Sequence, residues 1–414
     1  MSPTQQSSMR LVPLLALGQI FGWGTTYYMP SVLAPALSRD LGLDPTGIYL
    51  GVTIMVAIGG LAAPTAGRLI DTHGAARFMP VAPAAIGLGH LLVAAVPSAT
   101  TWYVAWVLHG IAMPLGLTLA ATTFLTRRGA ADARRTIGIM TLLVGFAPSA
   151  FWPLTALLEA AFDWRGTLLV YGAIELLVLL PLQIWIGRRW TDREPETSAP
   201  DPRAPSTEDA AADAPPPVLT GTTRAIAITA MVIAFTAQGF ASWGLPLHVI
   251  RLFEDLGLDH GTAVTVAAAS GAATIGARTL EVAFGHRLHP LTTTGLAITV
   301  LTPMLALLGS PLDPLTSAWI FIVVWSGANG ILAVLRMTLP LSLFGANAYG
   351  TLVGRMSLPQ NLAFSAAPAV FAVVIDRGGP TAALWLAIAA SLTALVAAVV
   401  LARIARPPEV AAPH

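Results

Sequence analysis

The sequence predicts an all-α membrane protein in which twelve transmembrane helices form two pseudo-symmetric six-helix bundles. Three observations predict it: a composition too apolar for water, recurring runs long enough to cross a bilayer, and a likeness between the two halves of the chain. Hydrophobic residues fill 55% of the 414 positions and charged residues only 10%, with a mean hydropathy of +0.72. A soluble domain is roughly 25% charged and needs far less apolar material to fill one core. The solvent for most of this surface is therefore lipid.

About 20 apolar helical residues cross a hydrocarbon core of roughly 30 Å. Runs of that kind, punctuated by Gly, Pro and charge, cover about 11–34, 47–66, 78–97, 101–126, 136–158, 166–187, 225–250, 261–284, 291–309, 315–344, 351–375 and 380–402. The residues before them, Met1 to Met9, are polar and lack the short apolar core and cleavage site of a secretory signal. The run from Leu11 is thus expected to be a retained first span.

An even number of spans puts both termini on one side, and arginine selects the side, because short cytoplasmic loops collect positive charge. All 22 Lys and Arg positions are arginine. With the termini inside, Arg39, Arg165, Arg251 and Arg377 fall outside, whereas Arg68, Arg77, Arg127, Arg128, Arg134, Arg135, Arg188 and Arg189 fall inside. The expected location is the cell inner membrane, multi-pass, with both termini cytoplasmic. Between the sixth and seventh spans, 191–223 is rich in Pro, Ala, Asp and Glu, including Pro215, Pro216 and Pro217. Such a stretch buries too little apolar surface to order. It is expected to be a flexible cytoplasmic linker between an N-terminal six-helix bundle (1–190) and a C-terminal one (224–414).

The bundles echo each other. The run Asp40-Leu41-Gly42-Leu43-Asp44 returns as Asp255-Leu256-Gly257-Leu258-Asp259, and Trp102 with Gly110 returns as Trp319 with Gly327, at offsets of 215 and 217 residues. Parallel six-helix repeats with a site between them at mid-bilayer are an architecture that works by rocking one half against the other.

After the second span the chain reads Gly67-Arg68-Leu69-Ile70-Asp71-Thr72-His73-Gly74-Ala75-Ala76-Arg77. This resembles the glycine, aspartate and basic signature of the loop between helices 2 and 3 in the major facilitator superfamily. The resemblance implies that fold and a secondary transporter. In that reading Gly67 and Gly74 allow a tight turn and close approach, while Asp71 and Arg77 make contacts that lock the two halves and release them. Asp163-Trp164-Arg165-Gly166, Arg127-Arg128-Gly129 and Gly67 to Asp71 together resemble the monocarboxylate and oxalate/formate branch, and Ala277-Arg278 resembles the pair that carries its substrate-binding arginine. The resemblance implies a carboxylate partner for Arg278. Two positions depart from that branch: Ser31 follows Pro30 where lysine is usual, and Thr274 stands for an aspartate one turn before Arg278.

Charge at bilayer depth costs about 2.5 to 3.5 kcal/mol per residue on insertion scales, so each instance calls for a use or a partner. The spans hold Glu175, Arg278, Glu281, Arg336 and Arg355. A guanidinium fork matches a carboxylate in two parallel hydrogen bonds and stays charged at any working pH. Arg278 is therefore the candidate anion receiver; the alternative is a structural ion pair with Glu281, three residues on and on the same helix face. Arg336 is a second cation nearby, Arg355 is expected to snorkel, and Glu175 is either a proton site or a buried protonated carboxyl. Gln19, Trp23, Tyr27 and Tyr28 in the first span, and Gln238, Ser242 and Trp243 in the seventh, are spaced to share a face. Gln19, Trp23, Tyr27, Gln238 and Trp243 are expected to wall a substrate cavity. His109 is either a proton carrier or a packing histidine, and Asn329 is a candidate cavity hydrogen-bonder.

Other functions find little support. A net charge of +1 gives no field to gather nucleic acid, and the absence of cysteine removes thiolate metal sites and cysteine nucleophiles. No phosphate loop or cofactor fingerprint is present, so neither an enzyme nor a cofactor is expected. The expected partners are a small, anionic substrate, the lipid bilayer and protons as coupling ion. A drug-like exporter and a non-transporting membrane sensor or partner subunit are the competing readings.

Overall fold

The computed structural model describes residues 3–128, 130–190, 221–284, 289–344 and 349–405. The linker expected at 191–223 lies, as far as residue 220, outside the described residues, and Gly221 already begins the helix Gly221–Gly244. All described secondary structure is helical, as a bilayer demands of a chain that must satisfy its own backbone.

Eight helical stretches among the described residues are long and apolar enough to cross a membrane. Two of them, Thr136–Arg189 and Leu358–Ala405, are divided by a residue of non-helical backbone, Asp163 (φ 59°, ψ −177°) and Gly379 (φ 73°, ψ 178°), and each supplies two spans. The first span is assembled from Pro3–Trp23, a π-turn at Gly24–Tyr28 and Pro30–Leu41. The eighth is His260–Phe284, where Ser270, Thr274 and Arg278 dilute the hydropathy. Together these make the twelve spans of the predicted fold class.

The repeated Asp-Leu-Gly-Leu-Asp motif has one physical job in both halves. Gly42 and Gly257 take positive φ (65° and 100°) to end one helix, a conformation that a Cβ would penalise. Two residues on, the Asp44 carboxylate accepts from Gly47 N at 2.7 Å and the Asp259 carboxylate from Thr262 N at 3.0 Å, capping the next helix. The Thr262 hydroxyl and backbone N–H hold the Asp259 carboxyl below the usual aspartate value. Both tight turns lie at the end of the molecule opposite the chain termini, called here the far end.

Four of the spans facing the partner half are irregular. The first unwinds into its π-turn, the fourth breaks at Leu117 between Ala99–Gly116 and Thr118–Arg128, and the fifth breaks at Gly145 between Ala130–Val144 and Ala147–Ile174. The seventh tightens to a 3₁₀ turn at Leu245–His248 before Val249–Asp255, the counterpart of the π-turn in the first. Pro30, Pro114, Pro148 and Pro246 stand beside these breaks, each removing a backbone donor.

Candidate functional site

A cavity of about 360 Å³ lies between the two bundles, lined by residues of the first, fourth, fifth, seventh, eighth and tenth spans. Its far end is closed by aromatic rings. Trp23 and Tyr27 pack against Trp243 with centroids 6.2 and 5.3 Å apart, Tyr28 packs on Tyr27 at 5.1 Å, and Trp152 packs on Tyr28 at 5.6 Å. These edge-to-face pairs form a continuous band across both halves. The Tyr27 hydroxyl donates to Trp243 O at 2.5 Å, joining the two irregular turns directly.

Beyond that band the halves are tied twice more toward the far end. The Tyr49 hydroxyl donates to Leu247 O at 3.1 Å, and its ring lies 4.1 Å from that of His248. Asp376 accepts from Thr46 at 3.0 Å across the interface while pairing with Arg251 at 3.0 Å. Along one side of the cavity the fifth and eighth spans approach closely: the Ser149 hydroxyl donates to Ala268 O and accepts from Gly271 N at 3.1 Å. A Cβ on Gly271 would stand 2.8 Å from Gly145 O, so only glycine permits this approach.

Arg278 is the one charged residue lining the cavity among those described. Its Nε donates to Gly330 O at 3.0 Å and a terminal nitrogen to Thr141 O at 3.4 Å, which orients the guanidinium but leaves most of its five donors unspent. No carboxylate lies within ion-pair distance of it among the described residues, so the alternative pairing with Glu281 is not formed. Near it, Ser242 donates to Asn329 Oδ1, Gln238 donates to the same oxygen at 3.1 Å, and the Asn329 amide nitrogen donates to Trp325 O at 2.9 Å.

Of the expected cavity residues, Trp23, Tyr27, Trp243, Asn329 and Arg278 do line the space. Gln19 and Gln238 do not. Each is buried one layer behind: Gln19 accepts from the cavity-lining Thr118 at 3.2 Å, and Gln238 braces Ser242 and Asn329. His109 is likewise remote, packed inside the N-terminal bundle with His90 and Trp106 at 5.3 and 5.5 Å. Arg336 lies off the cavity with its guanidinium 5.5 Å from the Phe364 ring. The side chain of Arg355 lies outside the described residues.

Glu175 is buried in the N-terminal bundle, where it opens a second π-turn, Glu175–Leu179, and accepts from Thr25 of the first π-turn at 3.2 Å. His90 sits 3.1 Å from Thr25 O, so a carboxyl and two imidazoles converge behind the cavity wall. π-turns concentrate at functional positions.

The signature stretch differs from its expected form. Gly67 to His73 are not loop: the second span, Pro45–His73, continues through them, and the turn is made at Gly74 alone (φ 87°). Gly67 meets nothing within 4 Å, so it serves no close approach in this state. Asp71 pairs with Arg127 at 3.1 Å, and Arg127 also donates to Asp71 O at 2.9 Å. Both residues belong to the N-terminal half, so the pair ties the second span to the fourth and not one half to the other. Arg77 lines a separate surface groove with His73 and Arg188.

Sequence reasoning missed Tyr28 as a wall residue and missed Trp152, Phe321 and Trp325 altogether. Phe321 and Trp325 are stacked at 5.5 Å and lie two turns and one turn, respectively, before Asn329, a spacing that carried the signal.

The sequence matches the Major Facilitator Superfamily over residues 15–368. The chain belongs to that superfamily of transporters. A protein of Thermoproteus tenax described as an uncharacterized 38 kDa protein in the 23S RNA operon is 28% identical over 163 residues, which is 38% of this chain; the chain covers 42% of that relative's length. Among solved major facilitator structures, the peptide transporter POT superimposes with a TM-score of 0.73 at 13% identity, covering 96% of this chain and 95% of the other. The D-xylose-proton symporter gives 0.69 at 12%, covering 96% and 98%. The human organic anion transporter MFSD10 gives 0.62 at 17%, covering 97% and 100%. Identities this low show the fold alone.

Proposed function

We propose that this major facilitator protein is a secondary active transporter of a small organic anion, monocarboxylate-like, moved by rocker-switch alternating access with proton coupling or by exchange. The observation that carries the reading is the Arg278 guanidinium, oriented by two backbone carbonyls in the wall of the inter-bundle cavity and facing no acidic partner there. Desolvating an unpaired guanidinium is costly, and an anionic substrate repays it with charge-assisted hydrogen bonds. Transport of anions by the structural neighbour MFSD10 accords with this reading.

The arginine bias of the terminal-side loops supports an inner-membrane location with cytoplasmic termini. In that orientation the ties at Tyr27, Tyr49 and Asp376 close the outer face, and the cavity is reached from the cytoplasm. The Pro-, Ala- and acid-rich sequence of 191–220 supports a linker between the bundles. Glu175 with His90 is the candidate proton site, and Asn329 with Gln238 sets the hydrogen-bonding geometry beside Arg278.

The test is uptake of labelled lactate, pyruvate and oxalate into liposomes with and without a pH gradient, repeated for Arg278→Ala. Saturable uptake that the substitution abolishes is the expected result. A second reading, export of a drug-like compound, is favoured by the aromatic band; it predicts no carboxylate uptake and transport of lipophilic cations instead. Failure of every solute to move would favour a sensor or partner subunit.

A further inference from the structure

We propose that the anion this cavity takes is a ring-bearing monocarboxylate, an aromatic or arylalkyl acid, in preference to a short aliphatic one. This rests on Arg278 as the anion receiver and adds what fills the remaining space.

Three features of the cavity carry it. The first is charge: a single guanidinium and no second cation line the space among the described residues, which suits a monoanion better than a dianion. The second is volume. A cavity of roughly 150 Å³ admits benzene, and this one measures about 360 Å³, enough for a ring and a carboxylate together. A short aliphatic acid on Arg278 would leave the aromatic walls facing water.

The third is the arrangement of the walls. Arg278 and Asn329 bring polar groups to a space otherwise walled by rings: Trp23, Tyr27, Tyr28, Trp152 and Trp243 in the band, and Phe321 and Trp325 beside Asn329. The contacts within the band are edge-to-face, so a further ring meeting it finds the same ring-to-ring geometry continued. Both halves contribute to the band, with Trp243 from the seventh span and the others from the first and fifth. A bound ring therefore bridges the bundles at the seam that must part for the far end to open. The carboxylate is held by Arg278 and the ring by these walls.

Binding to the purified protein in detergent, read by calorimetry, separates the possibilities without interference from leakage of weak acids across lipid. The probes are benzoate, phenylacetate and phenylpyruvate against acetate, lactate and pyruvate, with benzyl alcohol as the uncharged ring. The expected result is that the ring acids bind at least about tenfold more tightly than their aliphatic counterparts. Trp243→Ala should erase most of that preference, and Trp243→Phe should keep it, both with an unchanged elution profile. Equal or tighter binding of the aliphatic acids overturns the proposal and leaves the anion reading standing. Benzyl alcohol binding as tightly as phenylacetate, or ring acids bound equally by wild type and Arg278→Ala, overturns the anion reading itself. No binding by any probe overturns both.

Discussion

The two bundles share a scaffold and differ in chemistry. Both halves use the same glycine-and-aspartate turn, and both unwind the span that opens the bundle, at Gly24–Tyr28 and Leu245–His248. Both halves give the cavity aromatic surface, Trp23, Tyr27, Tyr28 and Trp152 from the N-terminal half and Trp243, Phe321 and Trp325 from the C-terminal half, but the N-terminal half keeps its titratable groups, Glu175, His90 and His109, buried behind that surface. The C-terminal half gives the charge of Arg278 and a chain of amides and hydroxyls running from Ser391 through Gln238 to Asn329 and Ser242. Symmetry fixes where a site lies; the asymmetry of its lining decides what it holds. A substrate touching both walls couples its own binding to the angle between the bundles.

That contrast can be broken at several points. The largest effect is expected from Arg278. Arg278→Ala should abolish saturable carboxylate uptake, while Arg278→Lys, which keeps the charge and loses the planar fork, should raise KM by about ten- to a hundredfold. Next is the seam between the fifth and eighth spans. Gly271→Val places a Cβ where Gly145 O stands at 2.8 Å, so it should push the halves apart and stall the cycle in a protein that still inserts, read as lost counterflow with binding retained.

Glu175 sharpens the comparison, because it tests whether the N-terminal half does more than pack. Glu175→Gln keeps shape and the Thr25 hydrogen bond but cannot titrate. Counterflow should survive while accumulation driven by a pH gradient is lost. Smaller still is the far-end tie: Asp376→Asn weakens the acceptor that Thr46 meets across the interface and removes the partly exposed pair with Arg251 that holds it in place, worth about 0.2 to 1 kcal/mol. It should raise far-side accessibility only a few-fold, measured by labelling a cysteine introduced at the buried, cavity-lining Val249.

Much of this architecture was legible in the amino-acid order, and the reasons are physical. Spans, breaks and the repeat follow from hydropathy, from Pro and Gly, and from a turn motif whose glycine and second aspartate each have a backbone duty. The place of Arg278 in the cavity wall followed from the cost of charge in lipid. What stayed hidden is rotation and depth. Gln19 and Gln238 look like wall residues because polar groups in an apolar helix must be satisfied, yet a neighbouring helix satisfies them as well as a ligand does. Trp152 lay in a helix where no period marks the inward face, whereas Phe321 and Trp325 stood at helical spacing from Asn329 and could have been read from it. Gly67 to His73 read as loop in the sequence because the apolar run ends before them, while the helix Pro45–His73 continues past that point.

The most direct test of the shared cavity uses the natural absence of cysteine, which makes any single introduced thiol unambiguous. Thr274→Cys, one turn from Arg278 and in the cavity wall, can be labelled with a membrane-impermeant maleimide in vesicles of either orientation. The account predicts labelling from the side that carries the chain termini, and protection by a bound carboxylate that disappears with Arg278→Ala. Labelling that no carboxylate slows, or no labelling from either side, would contradict it.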